Sequence, residues 1–197
     1  MHVYLLVLFV HVLGAVGVFA AIAMESVALG LLRRANSSVE ARARIGLLAF
    51  PAYRLGPLAM GATLVSGVGM MAMAWGRGPW MVAALAGLVA MAVLGGMVSG
   101  RRLRQLRAAV ASETGSDLSD ASRSLLSSDA LTASLRLRFA IGVAILGLMT
   151  FKPEVAGSSV ILAAGILAGL VASRVPLAIR RARPAEAHAV TIRRART

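Results

Sequence analysis

Five long apolar blocks, separated by arginine-rich segments or Gly/Pro turns, leave this chain few folds to choose from. They run over residues 3–32, 45–75, 80–100, 139–151 and 155–179. In hydrocarbon every backbone N–H and C=O must be satisfied within its own segment, and about 20 apolar residues cross a bilayer core as a helix. The pattern therefore predicts an all-α, polytopic transmembrane helix bundle with five spans. Hydrophobic residues make up 58% of the chain and charged residues 15%, too lopsided for a soluble domain of 197 residues. The first block holds 30 residues, about 45 Å of helix, so it must tilt or protrude. The fourth is strictly apolar for only 13 residues. Leu131, Leu135 and Leu137 must extend it while Arg136 and Arg138 snorkel, with Ser128-Asp129 capping a helix that starts at Ala130. Gly76-Arg77-Gly78-Pro79 and Lys152-Pro153-Glu154 read as tight turns, with Trp75 and Trp80 at an interfacial belt.

Charge sets the expected orientation. Of the 21 basic residues, 18 fall in the segments 33–44, 101–138 and 174–197, all on one side of a five-span bundle, and only Arg77 and Lys152 on the other. The positive-inside rule then places the N-terminus outside and the C-terminus in the cytoplasm. The expected organisation is a four-helix core over residues 1–153 with a cytoplasmic loop at 101–138, an appended fifth helix at 154–180, and a basic tail at 181–197. Ala21-Ile22-Ala23 resembles a signal-peptide cleavage site, but no basic n-region precedes the apolar block, so the first block is expected to be a retained span. The net charge of +13 does not point to nucleic acid, because no aromatic residues interleave with the arginines. Those arginines meet anionic lipid headgroups instead. The absence of cysteine excludes disulfide, thiolate and iron–sulfur chemistry. No phosphate loop, zinc-protease motif or hydrolase elbow occurs, and no triad can assemble.

Three ionisable residues lie inside spans, where each costs about 2.5–3.5 kcal/mol on insertion scales: His11, Glu25 and Arg54. His11 and Glu25 share one helix face with Gly14, Ala15 and Val18. Glu25 and Arg54 fall at similar depth on adjacent antiparallel helices, so an intramembrane ion pair between them is expected. His11 lies at the depth of Met70 and Met71 on the second span. That combination leaves two readings open: a haem or metal site with His11 and a thioether as ligands, or a hydrogen-bonded packing histidine. Gly165 and Gly169 form a GxxxG pair in the last span, a helix-packing signal.

The opening Tyr4-Leu5-Leu6 with His11-Val12-Leu13-Gly14-Ala15, the 63–69 stretch with the Gly76–Trp80 turn, and Gly147-Leu148-Met149-Thr150-Phe151-Lys152-Pro153 resemble a family of small bacterial integral membrane proteins, domain of unknown function 2269. The resemblance covers residues 1–153, and extends distantly to copper-resistance D-type proteins and the haem-binding J-type protoporphyrinogen oxidase. Both of those groups carry a histidine early in helix one, which maps onto His11. The oxidase resemblance also implies a lysine in a later helix, whereas Lys152 falls at a turn. The resemblance implies a bacterial inner-membrane protein with haem b as a candidate cofactor. Three functions remain open: a non-catalytic accessory subunit docking through glycine-rich helices 3 and 5 onto other subunits or a second copy, a haem- or metal-binding protein, and a small-solute or ion carrier.

Overall fold

The computed structural model describes residues 2–75, 78–113, 115 and 117–174, and among these it contains helices and no strand. The helices are α1 (His2–Leu32), α2 (Ser38–Phe50), α3 (Gly56–Met70), α4 (Pro79–Val93), α5 (Arg101–Ser112), α6 (Asp120–Ser127), α7 (Asp129–Phe151) and α8 (Val155–Arg174). Short π-helical segments, Pro51–Leu55, Met71–Trp75 and Leu94–Gly100, join or extend them. Five of the resulting rods are long and apolar enough to cross a membrane: His2–Leu32, Ser38–Ala74, Pro79–Ser112, Asp120–Phe151 and Val155–Arg174. Their outward faces carry a dense set of bare aliphatic and aromatic side chains, among them Phe9, Leu58, Val65, Val160 and Val171. So continuous an apolar surface is stable against hydrocarbon and not against water. The basic tail at 181–197, the last residues of the expected fifth helix (175–180), and Gly76 and Arg77 of the first Gly/Pro turn lie outside the described residues.

The second rod starts seven residues earlier than its apolar block. Ser37 is its N-cap, accepting a hydrogen bond from the Glu40 N–H at 3.2 Å, while Glu40 accepts one from the Asn36 N–H at 2.8 Å. This reciprocal capping lets a polar sequence begin the helix. Further on, Pro51 has no N–H to donate. The backbone absorbs the defect as a π turn, in which the Gly56 N–H reaches back to the Pro51 carbonyl, and the helix continues. At the other end of the chain α7 begins at Asp129 with Ser128 at the cap position, without the side-chain cap bond expected of it. It stops at Lys152, whose left-handed backbone (φ 48°, ψ 51°) returns its N–H to the Leu148 carbonyl ahead of Pro153.

Small residues decide which rods touch. A Cβ on Gly14 would lie 2.6 Å from Thr63 Oγ1 and 2.9 Å from the Thr63 nitrogen, and one on Gly17 would lie 2.9 Å from the Ala59 Cβ. These contacts weld α1 to α3. On the opposite side, Gly165 approaches Ala144 and Ala140, and Gly169 approaches Leu137, welding α8 to α7. The GxxxG pair of the fifth rod therefore packs against α7 of the same chain. Gly87 of α4 packs against Ile145 and Leu162, which adds α4 to the second pair. The result is two leaves, α1/α3 and α4/α7/α8.

At the arginine-rich end the two leaves close on each other. One apolar core crosses between them through Val18, Ile22 and Leu29 of α1, Ala59 of α3, Met91 of α4, and Leu131, Leu135 and Ile141 of α7. Beyond it the segment 101–138 is almost wholly helical. The amphipathic α5 buries Leu103, Leu106 and Val110 against Leu32, Ile45, Leu48, Leu118 and Leu126, forming a second core that caps this end. Arg33 holds the cap in place by donating to the Leu126 carbonyl at 2.9 Å and the Ser128 carbonyl at 2.7 Å. Ser38 donates to the Gly115 carbonyl at 2.6 Å.

Candidate functional site

Toward the N-terminal end of α1 the leaves diverge and leave a cavity of about 850 Å³ between α1, α3, α4 and α7. Ligand pockets range over roughly 300–1,000 Å³. Its walls are almost entirely apolar, with His11 and Thr63 as polar groups part-way down, and Tyr4, Trp80 and Lys152 around the mouth. The floor is an edge-to-face pair, Phe19 and Phe139, with ring centroids 5.7 Å apart. Phe19 fits because Gly142 of α7 has no side chain. A Cβ there would meet the ring at 3.1 Å.

His11 is held by α3. Its Nδ1 lies 3.0 Å from the Thr63 carbonyl oxygen and 3.2 Å from Ser66 Oγ. A carbonyl can only accept, and the Ser66 hydroxyl donates back to the Ala62 carbonyl, so Nδ1 must carry the proton. Nε2 is then the lone-pair nitrogen of the neutral ring, and among the described residues it has no hydrogen-bond partner. This is the arrangement by which a carbonyl orients a metal-bound imidazole. The α3 backbone approaches because residue 67 is glycine: a Cβ there would stand 3.1 Å from the imidazole Cε1. Met70 and Met71 line the same cavity, as their depth predicted. They belong to the rod that already holds His11, and Met81 and Met149 line the cavity from the opposing leaf. No cluster of three or more His, Cys, Asp or Glu side chains occurs among the described residues.

The expected Glu25–Arg54 pair is not formed. Glu25 instead accepts two hydrogen bonds from Arg138 of α7, Nη1 to Oε2 at 2.8 Å and Nη2 to Oε1 at 3.2 Å, with both side chains 5–6% exposed. Arg54 sits in the π turn and is exposed. That turn changes the rotational phase of the rod, so a residue at the right height faces away from α1. Arg138 does not snorkel as expected, because Gly95 opens a slot for its guanidinium, with the nearest atom 3.5 Å from where a Cβ would stand. Beside it Ser99 donates to Ser134 at 3.0 Å, and Ser134 donates to the Leu94 carbonyl at 3.3 Å. Arg136 donates to the Ala172 carbonyl at 2.6 Å. Thr63, Ser66 and Arg138 are thus the functional-site residues that reading along the chain missed. The i, i+3 spacing of Thr63 and Ser66 within an apolar span was the available signal.

Comparison with protein-family models, with curated proteins and with solved structures finds no match for this chain.

Proposed function

We propose that this chain is a multi-pass protein of the bacterial cytoplasmic membrane, N-terminus outside and C-terminus inside, that binds a lipophilic small molecule in the cleft between its leaves with His11 as the polar contact. The observation that carries this is the 3.0 Å approach of His11 Nδ1 to the Thr63 carbonyl, a contact that needs Nδ1 as donor and so leaves Nε2 as an acceptor in an otherwise apolar cavity. A neutral imidazole so presented accepts either a metal or a donor hydrogen. Among the described residues no group of three His, Cys, Asp or Glu side chains surrounds it, so a metal that brings its own chelate, such as haem b, suits a site with a single histidine. In that case His11 would hold the haem through Nε2, Thr63 and Ser66 would orient its ring, and the bound haem would supply one-electron chemistry. The accessory-subunit reading draws less support, because Gly87, Gly165 and Gly169, which would dock a partner, pack against the chain's own α7 and α8.

The test is a reduced-minus-oxidised spectrum of the purified protein, together with mass spectrometry of its extracted lipids, for wild type and His11→Ala. A bound lipophile in wild type that is depleted in the variant is the expected result. Equal extracts and flat spectra from both would remove His11 from the function. Orientation is tested separately by single cysteines, since the chain has none of its own. A cysteine at Gly115 should be shielded from an impermeant thiol reagent in intact cells, and one at Gly78 should react.

A further inference from the structure

The dimensions and the hydrogen-bonding sense of the cleft narrow its occupant. Its lining runs along α1 from Tyr4 to Ala23, about 28 Å at 1.5 Å per residue. That length is close to the roughly 30 Å thickness of the hydrocarbon core. This is a slot, and its shape suits a chain. Both open sides are rimmed by aliphatic or aromatic side chains: Val12, Val16, Phe139 and Leu146 between α1 and α7, Leu64 and Val68 on α3. Away from the mouth at Tyr4, Trp80 and Lys152, these uncharged sides face hydrocarbon, so an occupant can enter from the bilayer.

Depth and chemistry then select the head group. His11 lies nine residues in from His2, about 14 Å along the helix, inside the apolar block and deeper in the cleft than Tyr4, Trp80 and Lys152 at its mouth. A glycerol or phosphate head would lose its hydration at that depth, whereas a weakly polar ring would not. Nε2 can accept one hydrogen bond and, in the tautomer fixed by Thr63, cannot donate. We propose that the cleft binds a long-chain isoprenoid hydroquinone, a membrane quinol, with one ring hydroxyl donating to His11 Nε2 and the tail lying along the slot. This rests on the reading of the cleft as a ligand site. It carries a directional signature: the oxidised quinone has only carbonyl acceptors to offer and gains no bond from Nε2.

The experiment titrates decylubiquinol and decylubiquinone, anaerobically, into the full-length protein in nanodiscs. Binding is read by quenching of Trp80, which lines the cleft, in a Trp75→Phe background. The expected result is saturable binding with the quinol two- to tenfold tighter than the quinone, the value of one net hydrogen bond. His11→Ala should bring the two affinities together, and Ala84→Phe, which fills the slot, should abolish both. Equal or tighter binding of the quinone by wild type overturns the proposal whether or not any variant folds. If neither form binds but a haem band is present and lost in His11→Ala, the hydroquinone is wrong while the site stands. If neither form binds and no haem band appears, the ligand-site reading fails as well.

Discussion

Replacing Glu25 by alanine is the perturbation with the largest consequence that the structure predicts. The carboxylate meets Arg138 through two parallel hydrogen bonds, and both side chains are almost sealed from the surroundings. Removal of one member leaves the guanidinium buried without its counter-ion, which costs about 3–5 kcal/mol. For a chain of this size each kcal/mol moves Tm by about 2–4 °C, so Glu25→Ala should lower it by roughly 6–20 °C. Arg54→Ala removes an exposed side chain and should change stability by no more than about 0.5 kcal/mol. The double variant Glu25→Met/Arg138→Met should recover most of the loss, since an apolar pair has no charge to desolvate. The assay is thermal unfolding in mild detergent followed by circular dichroism, run as a double-mutant cycle. Equal and small effects of Glu25→Ala and Arg54→Ala would refute the pairing of the leaves through Arg138. So would a large effect confined to Arg54.

Two further outcomes follow from contacts elsewhere in the bundle. Gly14→Val should destabilise by about 1–3 kcal/mol, because its Cβ would stand 2.6 Å from Thr63 Oγ1. Pushing α3 away should also loosen the Thr63–His11 hydrogen bond, read as a shift in the imidazole nitrogen resonances. At the arginine-rich cap, Glu113 accepts from the Ser119 hydroxyl and N–H and the Ser122 hydroxyl, which holds its carboxyl below the ordinary range. A depressed folded value means the contribution is present at neutral pH and is lost as pH falls through that value. Hydrogen exchange at 117–122 should therefore accelerate in wild type as pH falls below the ordinary carboxylate range, and Glu113→Gln should remove that pH step. An unchanged step in the variant would assign it to another group.

Much of the architecture was legible along the chain because hydrophobic length and arginine placement are one-dimensional properties. The five rods follow from the need to satisfy backbone groups inside apolar stretches. Depth is also one-dimensional, and that is why His11, Met70 and Met71 could be matched to one another and do line one cavity.

Rotation about each helix axis is a different matter. It depends on which faces pack, and on phase changes that a proline introduces without ending the helix. The π turn at Pro51–Leu55 turned Arg54 outward, and Gly95 opened the slot that Arg138 fills, so the partner of Glu25 was set by packing. The same holds for the cleft. Which helices approach was decided by Gly14 and Gly17 on one side and Gly165 and Gly169 on the other, since only glycine lets backbones come this close. The sequence by itself determined that the chain forms five apolar rods with one basic end. Only the tertiary structure decided that they divide into two leaves, and that His11 is fixed by the Thr63 carbonyl as an acceptor in the gap between them.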